Sequence, residues 1–127
     1  MKIVINTASA PAAIGPYSQG MAFDNLVFTS GQIPLDPATM EFVPGGIKEQ
    51  SQQSLTNLKA VLEQAGAGLD TVIKTTCFLA DMADFAAFNE VYTEFFGTQA
   101  APARSCIQAA RLPKDALVEV EAIAFIR

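Results

Sequence analysis

Histidine does not occur in this 127-residue chain, and cysteine occurs only twice, at Cys77 and Cys106. The first absence removes the commonest general base, the usual Cys-His and Ser-His pairs and most zinc sites. Two isolated cysteines build neither a disulfide framework nor a metal centre. Positive charge is also scarce: eight Lys plus Arg stand against thirteen Asp plus Glu, giving a net charge of -5. Such a field repels polyanions, which disfavours nucleic acid and anionic lipid as partners. No apolar run approaches the roughly 18 residues that span a bilayer, and the opening "MKIVINTASAPAA" has no long apolar core of a secretory signal. The expectation is a cytoplasmic protein in a reducing compartment, with no membrane partner.

What is present is apolar content, 50% of the residues. At this length it supports one domain over residues 1–127 with a single core, burying roughly two-thirds of the unfolded surface. "KIVIN" (2–6) and "NLVFTS" (25–30) are β-rich runs bounded by turn formers and read as strands, with a short strand possible between Tyr17 and Phe23. "SGQIPLDPATMEFVPGG" carries three prolines and reads as a long ordered loop. From Ile47 to Ala65 the residues Ile47, Ser51, Leu55, Leu58, Leu62 and Ala65 recur at helical spacing, and glycine in "AGAG" ends the helix. "DTVIKTTCFLAD" is β-rich. A second amphipathic helix follows, with Asp84 as its N-cap, Phe85, Phe88, Tyr92 and Phe95 along one stripe and Gly97 as its stop. The order is α+β, a mixed sheet with two helices on one face.

The last stretch, "ARSCIQAARLPKDALVEVEAIAF", reads as a hairpin of two strands and a tight connection. Along "VEVEAIAFI" one face is Val118, Val120, Ala122, Ala124 and Ile126; the other is Leu117, Glu119, Glu121, Ile123 and Phe125. If Ser105, Ile107 and Ala109 also meet the helices, then Arg104, Cys106, Glu119 and Glu121 converge on the opposite face. That face holds apolar residues without a cover, which predicts association of copies through the sheet.

Each polar group has two readings. Arg104 offers a guanidinium suited to bidentate capture of a carboxylate, or forms a salt bridge to Glu119 or Glu121. Either glutamate serves as a general base or water-orienting group, or as an interface ion partner. Cys106 is a nucleophile activated by Arg104, or a small, weakly polar wall. Cys77 reads as inert core, and Tyr17 as a packed loop aromatic. Gly15, Gly20 and Gly31 match no phosphate loop or dinucleotide fingerprint.

"GPYSQG", "TSGQIPLDP", "QSLTNLKAVLEQAG", "VIKTTCFLADMADFAAFNEVYTEFF" and "PARSCIQAARLPKDALVEVEAIA" closely resemble the RidA branch of the YjgF/Rid family of reactive-intermediate deaminases. The resemblance runs over nearly the whole chain. It implies a chorismate-mutase-like α+β fold, a homotrimer with clefts between subunits, and no cofactor. It also implies hydrolysis of 2-imino acids, such as 2-iminobutanoate and 2-iminopropanoate, to 2-keto acids and ammonia. Carried to this sequence, Arg104 is the carboxylate anchor, Glu119 the residue that orients or activates water, and Cys106 a cleft residue whose main chain meets the substrate nitrogen. Tyr17, Ser30, Gly31 and Asn89 take the other substrate-binding positions. The chain departs from the family pattern at Ser18 and in the shorter "FFGTQAAPARS" connection. Two other functions stay open on the sequence: an endoribonuclease that inhibits translation, and a non-catalytic small-ligand or chaperone-like module.

Overall fold

A computed structural model describes residues Met1–Arg127. Its β-rich runs form strands β1 (Ile3–Ile5), β2 (Gly20–Phe23), β3 (Leu26–Thr29), β4 (Val72–Leu79), β5 (Ala103–Gln108) and β6 (Val118–Phe125). They join in one sheet in the order β1-β2-β3-β6-β4-β5. All neighbours run antiparallel except β4 and β5, which are parallel. Helices α1 (Ile47–Gln64) and α2 (Phe85–Phe96) cover one face. The α+β architecture and the two-helix layer match the expectation from the sequence.

The stripe on α1 buries Leu55, Leu58, Val61 and Leu62 against Val27, Val120, Ala122 and Ala124 of the sheet. Each such side chain contributes about 1.5–3 kcal/mol by leaving water. The same helix also buries Gln50, Ser51, Ser54 and Asn57. Two of these fix distant backbone. Asn57 Nδ2 donates to the carbonyls of Ile33 (3.2 Å) and Leu35 (2.9 Å), and Gln50 Oε1 accepts from the Leu117 N–H at 2.9 Å. The proline-rich loop is thereby tied to α1, and Ile33 and Leu35 pack with Leu112 and Ala116 in a small second cluster.

Two details differ from the sequence reading and a third agrees with it. Helix α1 ends at Gln64, one residue early. Asp84 precedes α2 but its side chain caps nothing. The cap is Asp81, whose carboxylate accepts from the Ala83 N–H at 2.9 Å and starts a 3₁₀ turn that leads into the helix. Gly97, with φ 71°, does end α2.

The larger difference concerns the last two strands, which are not a hairpin. β6 lies inside the sheet between β3 and β4, whereas β5 is an edge strand on the far side of β4. The strand-helix-strand path β4-α2-β5 sets β5 parallel beside β4, as such crossovers do. β6, with Val118, Val120, Ala122 and Ala124 buried, takes the central slot.

Candidate functional site

The segment before β2 is held by one buried glutamine. Gln19 Oε1 accepts from Thr7 N–H at 2.7 Å, and Gln19 Nε2 donates to the carbonyls of Thr7, Ala10 and Pro11 at 3.0, 3.2 and 2.8 Å. A buried amide so fully paired fixes the path of residues 7–19 and with it Tyr17. The Tyr17 hydroxyl accepts from the Ile14 N–H at 3.3 Å. Ser30 Oγ donates to the Ser18 carbonyl at 2.5 Å, and Ser30 N–H to the Gln19 carbonyl at 2.9 Å. Ser30 therefore spends its hydroxyl on holding the Tyr17 loop.

This loop and β6 enclose a cleft of about 510 Å³ lined by Ile14, Tyr17, Ser30, Gly31, Ile33, Pro113, Glu119 and Glu121. Gly31 is there because Glu119 leaves no room for more: a β-carbon on residue 31 would collide with Glu119 Oε2 and lie 2.7 Å from its Cδ. Burial pushes the Glu119 carboxyl above its ordinary pKa, and the neighbouring Glu121 charge raises it further. A carboxyl held in this way takes a proton more readily than a free glutamate, which suits proton transfer to and from water.

Arg104 sits elsewhere. Its guanidinium lies 4.7 Å from the centre of the Tyr92 ring and 5.4 Å from that of Phe85, and Nη1 donates to Asn89 Oδ1 at 2.7 Å. It forms no ion pair with either glutamate; the salt bridges of the chain are Lys48–Glu90, Arg111–Asp115 and Arg127–Asp70. The cross-strand salt bridge weighed for Arg104 is thus overturned.

The expected convergence of Arg104, Cys106, Glu119 and Glu121 on one face is overturned as well. Cys106 is level with Cys77 on β4, and Cys77 with Val120 on β6; Arg104 is level with Thr75 and Ala122. Paired residues share a face, so Arg104 and Cys106 lie with buried Cys77, Thr75, Val120 and Ala122 beneath the helices. Glu119 and Glu121 pair with Phe78 and Thr76 on the opposite side. The physical reason is the edge position of β5: Ile107 packs beside Phe78 on the uncovered face and stays half exposed, so its apolarity does not mark the core. Burial raises the Cys106 thiol, against the lowering pull of Arg104. Burial also pushes Cys77 up to about 12. Neither is an activated thiolate.

Of the residues singled out in the sequence, one wall thus collects Tyr17, Ser30, Gly31 and Glu119, and another collects Asn89, Arg104 and Cys106. The sequence reading missed Gln19, whose role depends on backbone groups that no motif marks. It also missed Ile14, Ile33 and Pro113 as the apolar part of the cleft. The uncovered face continues from the cleft through Phe28 and Phe125, both exposed, to Phe23 on β2.

Residues 7–126 match the family model described as Endoribonuclease L-PSP. The 2-iminobutanoate/2-iminopropanoate deaminase of Escherichia coli is 50% identical over 129 residues, covering 100% of both chains. The chain belongs to the YjgF/Rid family. A RutC family protein of Pyrococcus horikoshii is 55% identical over 125 residues, 98% of each chain. Among solved structures, this Rid-family fold superposes on Escherichia coli TdcF with bound serine at a TM-score of 0.92, with 49% identity over 98% of this chain and 99% of the other. The crystal structure of the Escherichia coli YjgF gene product gives the same TM-score at 49% identity, over 98% of this chain and 99% of that one. No helix is long and apolar enough to cross a membrane.

Proposed function

We propose that this chain hydrolyses reactive 2-imino acids, 2-iminobutanoate and 2-iminopropanoate, to 2-keto acids and ammonia. The observation that carries the reading is Arg104, a half-buried guanidinium held by uncharged neighbours and left without a carboxylate partner. Such a group is an anchor in want of an anion. A relative with bound serine, which bears the same carboxylate beside a nitrogen-substituted carbon, supports this choice of ligand class.

The chemistry asks little more. An imine protonated at nitrogen is electrophilic at C2; water adds there, its proton passes to a base, and the carbinolamine expels ammonia to leave the ketone. Arg104 orients the carboxylate and Glu119 takes the proton from water, the latter worth about two to four powers of ten. Tyr17, Ser30 and Gly31 shape the wall around Glu119, Asn89 steadies Arg104, and Cys106 lines the anchor side with its strand backbone. Since Arg104 and Glu119 leave opposite faces of the sheet, the complete site takes them from two copies. A homotrimer closed through the uncovered apolar face, with residues 1–127 as its one domain, satisfies this. Two free thiols suit a cytoplasmic setting.

The test generates 2-iminobutanoate in place from threonine with a dehydratase and follows 2-oxobutanoate release. Acceleration by the wild type and none by Arg104→Ala is the expected result; equal release with and without the wild type overturns the reading. The family description favours a second function, cleavage of RNA. Its acidic balance and lack of a basic stripe weigh against it, and intact RNA after incubation with active protein disposes of it. Saturable 2-oxobutanoate binding without turnover would instead mark a binding module.

A further inference from the structure

Phe85, Asn89 and Tyr92 follow one another at steps of four and three on α2, so one stripe of the helix presents two rings with an amide between them. All three meet the Arg104 guanidinium. The Tyr92 ring is itself fixed. Its hydroxyl is 2.8 Å from Thr75 Oγ1, inside the core, and the ring packs between Phe88 and Phe96 with centroids at 5.6 and 4.6 Å. Thr75 stands level with Arg104 on the neighbouring strand. The hydrogen bond therefore links the shelf beneath Arg104 to the strand next to it.

We propose that Tyr92, pinned by Thr75 and assisted by Phe85, is the positioning residue that orients Arg104 for carboxylate capture; the inference rests on the anchoring role given to Arg104 above. Asn89 occupies Nη1, and Nε and Nη2 have no partner in the chain. These two donors form one edge of the planar guanidinium, the edge that accepts a carboxylate with two parallel hydrogen bonds. A free arginine carries about 2 kcal/mol of rotamer entropy, which a ligand would otherwise have to overcome. The aromatic shelf removes that freedom before substrate arrives, and an attraction between cation and ring of roughly 0.5–2 kcal/mol holds the plane in place.

The decisive comparison is Tyr92→Leu against Tyr92→Phe. Loss of the ring face should raise KM for 2-iminobutanoate about 2- to 30-fold, the factor that the cation-ring attraction corresponds to, with a much smaller change in kcat. The dissociation constant of 2-oxobutanoate should rise by the same factor. Tyr92→Phe keeps the ring, loses the Thr75 link and should fall between the wild type and Tyr92→Leu. A third reading is the Arg104 Nε–H signal in NMR, distinct in the wild type and broadened in Tyr92→Leu. A lowered melting temperature with KM, product affinity and the Nε–H signal unchanged would overturn the proposal. Should Tyr92→Leu fail to fold, Phe85→Leu, at the more exposed start of α2, replaces it; an unchanged KM and signal there overturn the proposal equally. If the wild type neither hydrolyses the imine nor binds 2-oxobutanoate, the anchoring role falls, and the Nε–H signal alone decides whether Tyr92 orders Arg104.

Discussion

Arg104 and Glu119 leave the same sheet on opposite faces, one beneath α2 and the other into the cleft behind β6. On the roles proposed for them, the two groups that serve one small substrate come from two copies. Mixing Arg104→Ala with Glu119→Gln, each inactive alone, should therefore restore turnover. With random exchange in a closed ring, about one site in four would receive both intact groups, so recovery should reach roughly a quarter of wild-type activity. Mixtures that stay as inactive as the separate variants, after exchange is confirmed by native mass spectrometry, would place both groups in one chain's site.

Glu119 predicts a pH profile. Burial first, and Glu121 second, raise its pKa, so the acid limb of kcat/KM should lie above the ordinary glutamate value of about 4.3. Glu121→Gln removes the second cause and should move the limb to lower pH. Stability follows the same shift: the folded chain holds the Glu119 proton more tightly than the unfolded one, so this group's contribution is lost as pH rises through its folded pKa. A limb that ignores Glu121→Gln would show that another group governs it.

Gly31 and Glu119 share one space. Gly31→Ala should drive the carboxylate aside, and a displacement near 1 Å costs about a hundredfold in rate. Folding should persist, since residue 31 lies outside the strands. Full activity in Gly31→Ala would mean that the position of Glu119 does not matter.

Ser51 Oγ and Ser54 Oγ are buried on α1 without a hydrogen-bond partner. An unpaired buried hydroxyl costs about 1–3 kcal/mol, and alanine is the better helix former. Ser54→Ala should raise the melting temperature by a few degrees. A fall would reveal that the hydroxyl is satisfied by a group from outside the chain.

The helices and inner strands were legible because their periods are unambiguous: Leu55, Leu58 and Leu62 mark one stripe, and Val118, Val120, Ala122 and Ala124 one face. The wall around Tyr17 and Glu119 was legible through family motifs. The face of β5 was not, because an edge strand exposes both its sides in part and alternation then carries no sign. The hairpin expectation failed for a related reason. A short connection suggests adjacency, but the crossover through α2 had already assigned β5 to the outer side of β4. Gln19 and Tyr92 act through backbone and core partners that only the folded chain brings near.

The parallel pairing of β4 with β5 also divides the candidate residues between two parts of the chain. Arg104, Phe85, Asn89, Tyr92 and Thr75 all come from one unbroken strand-helix-strand segment, residues 72–108, whereas Tyr17, Ser30 and Gly31 precede it and Glu119 follows it. On the roles proposed here, acid recognition and water chemistry are carried on separate stretches of the chain. Grafting the 72–108 segment between relatives would transfer the grip on the carboxylate and leave the shape of the reaction chamber with the recipient.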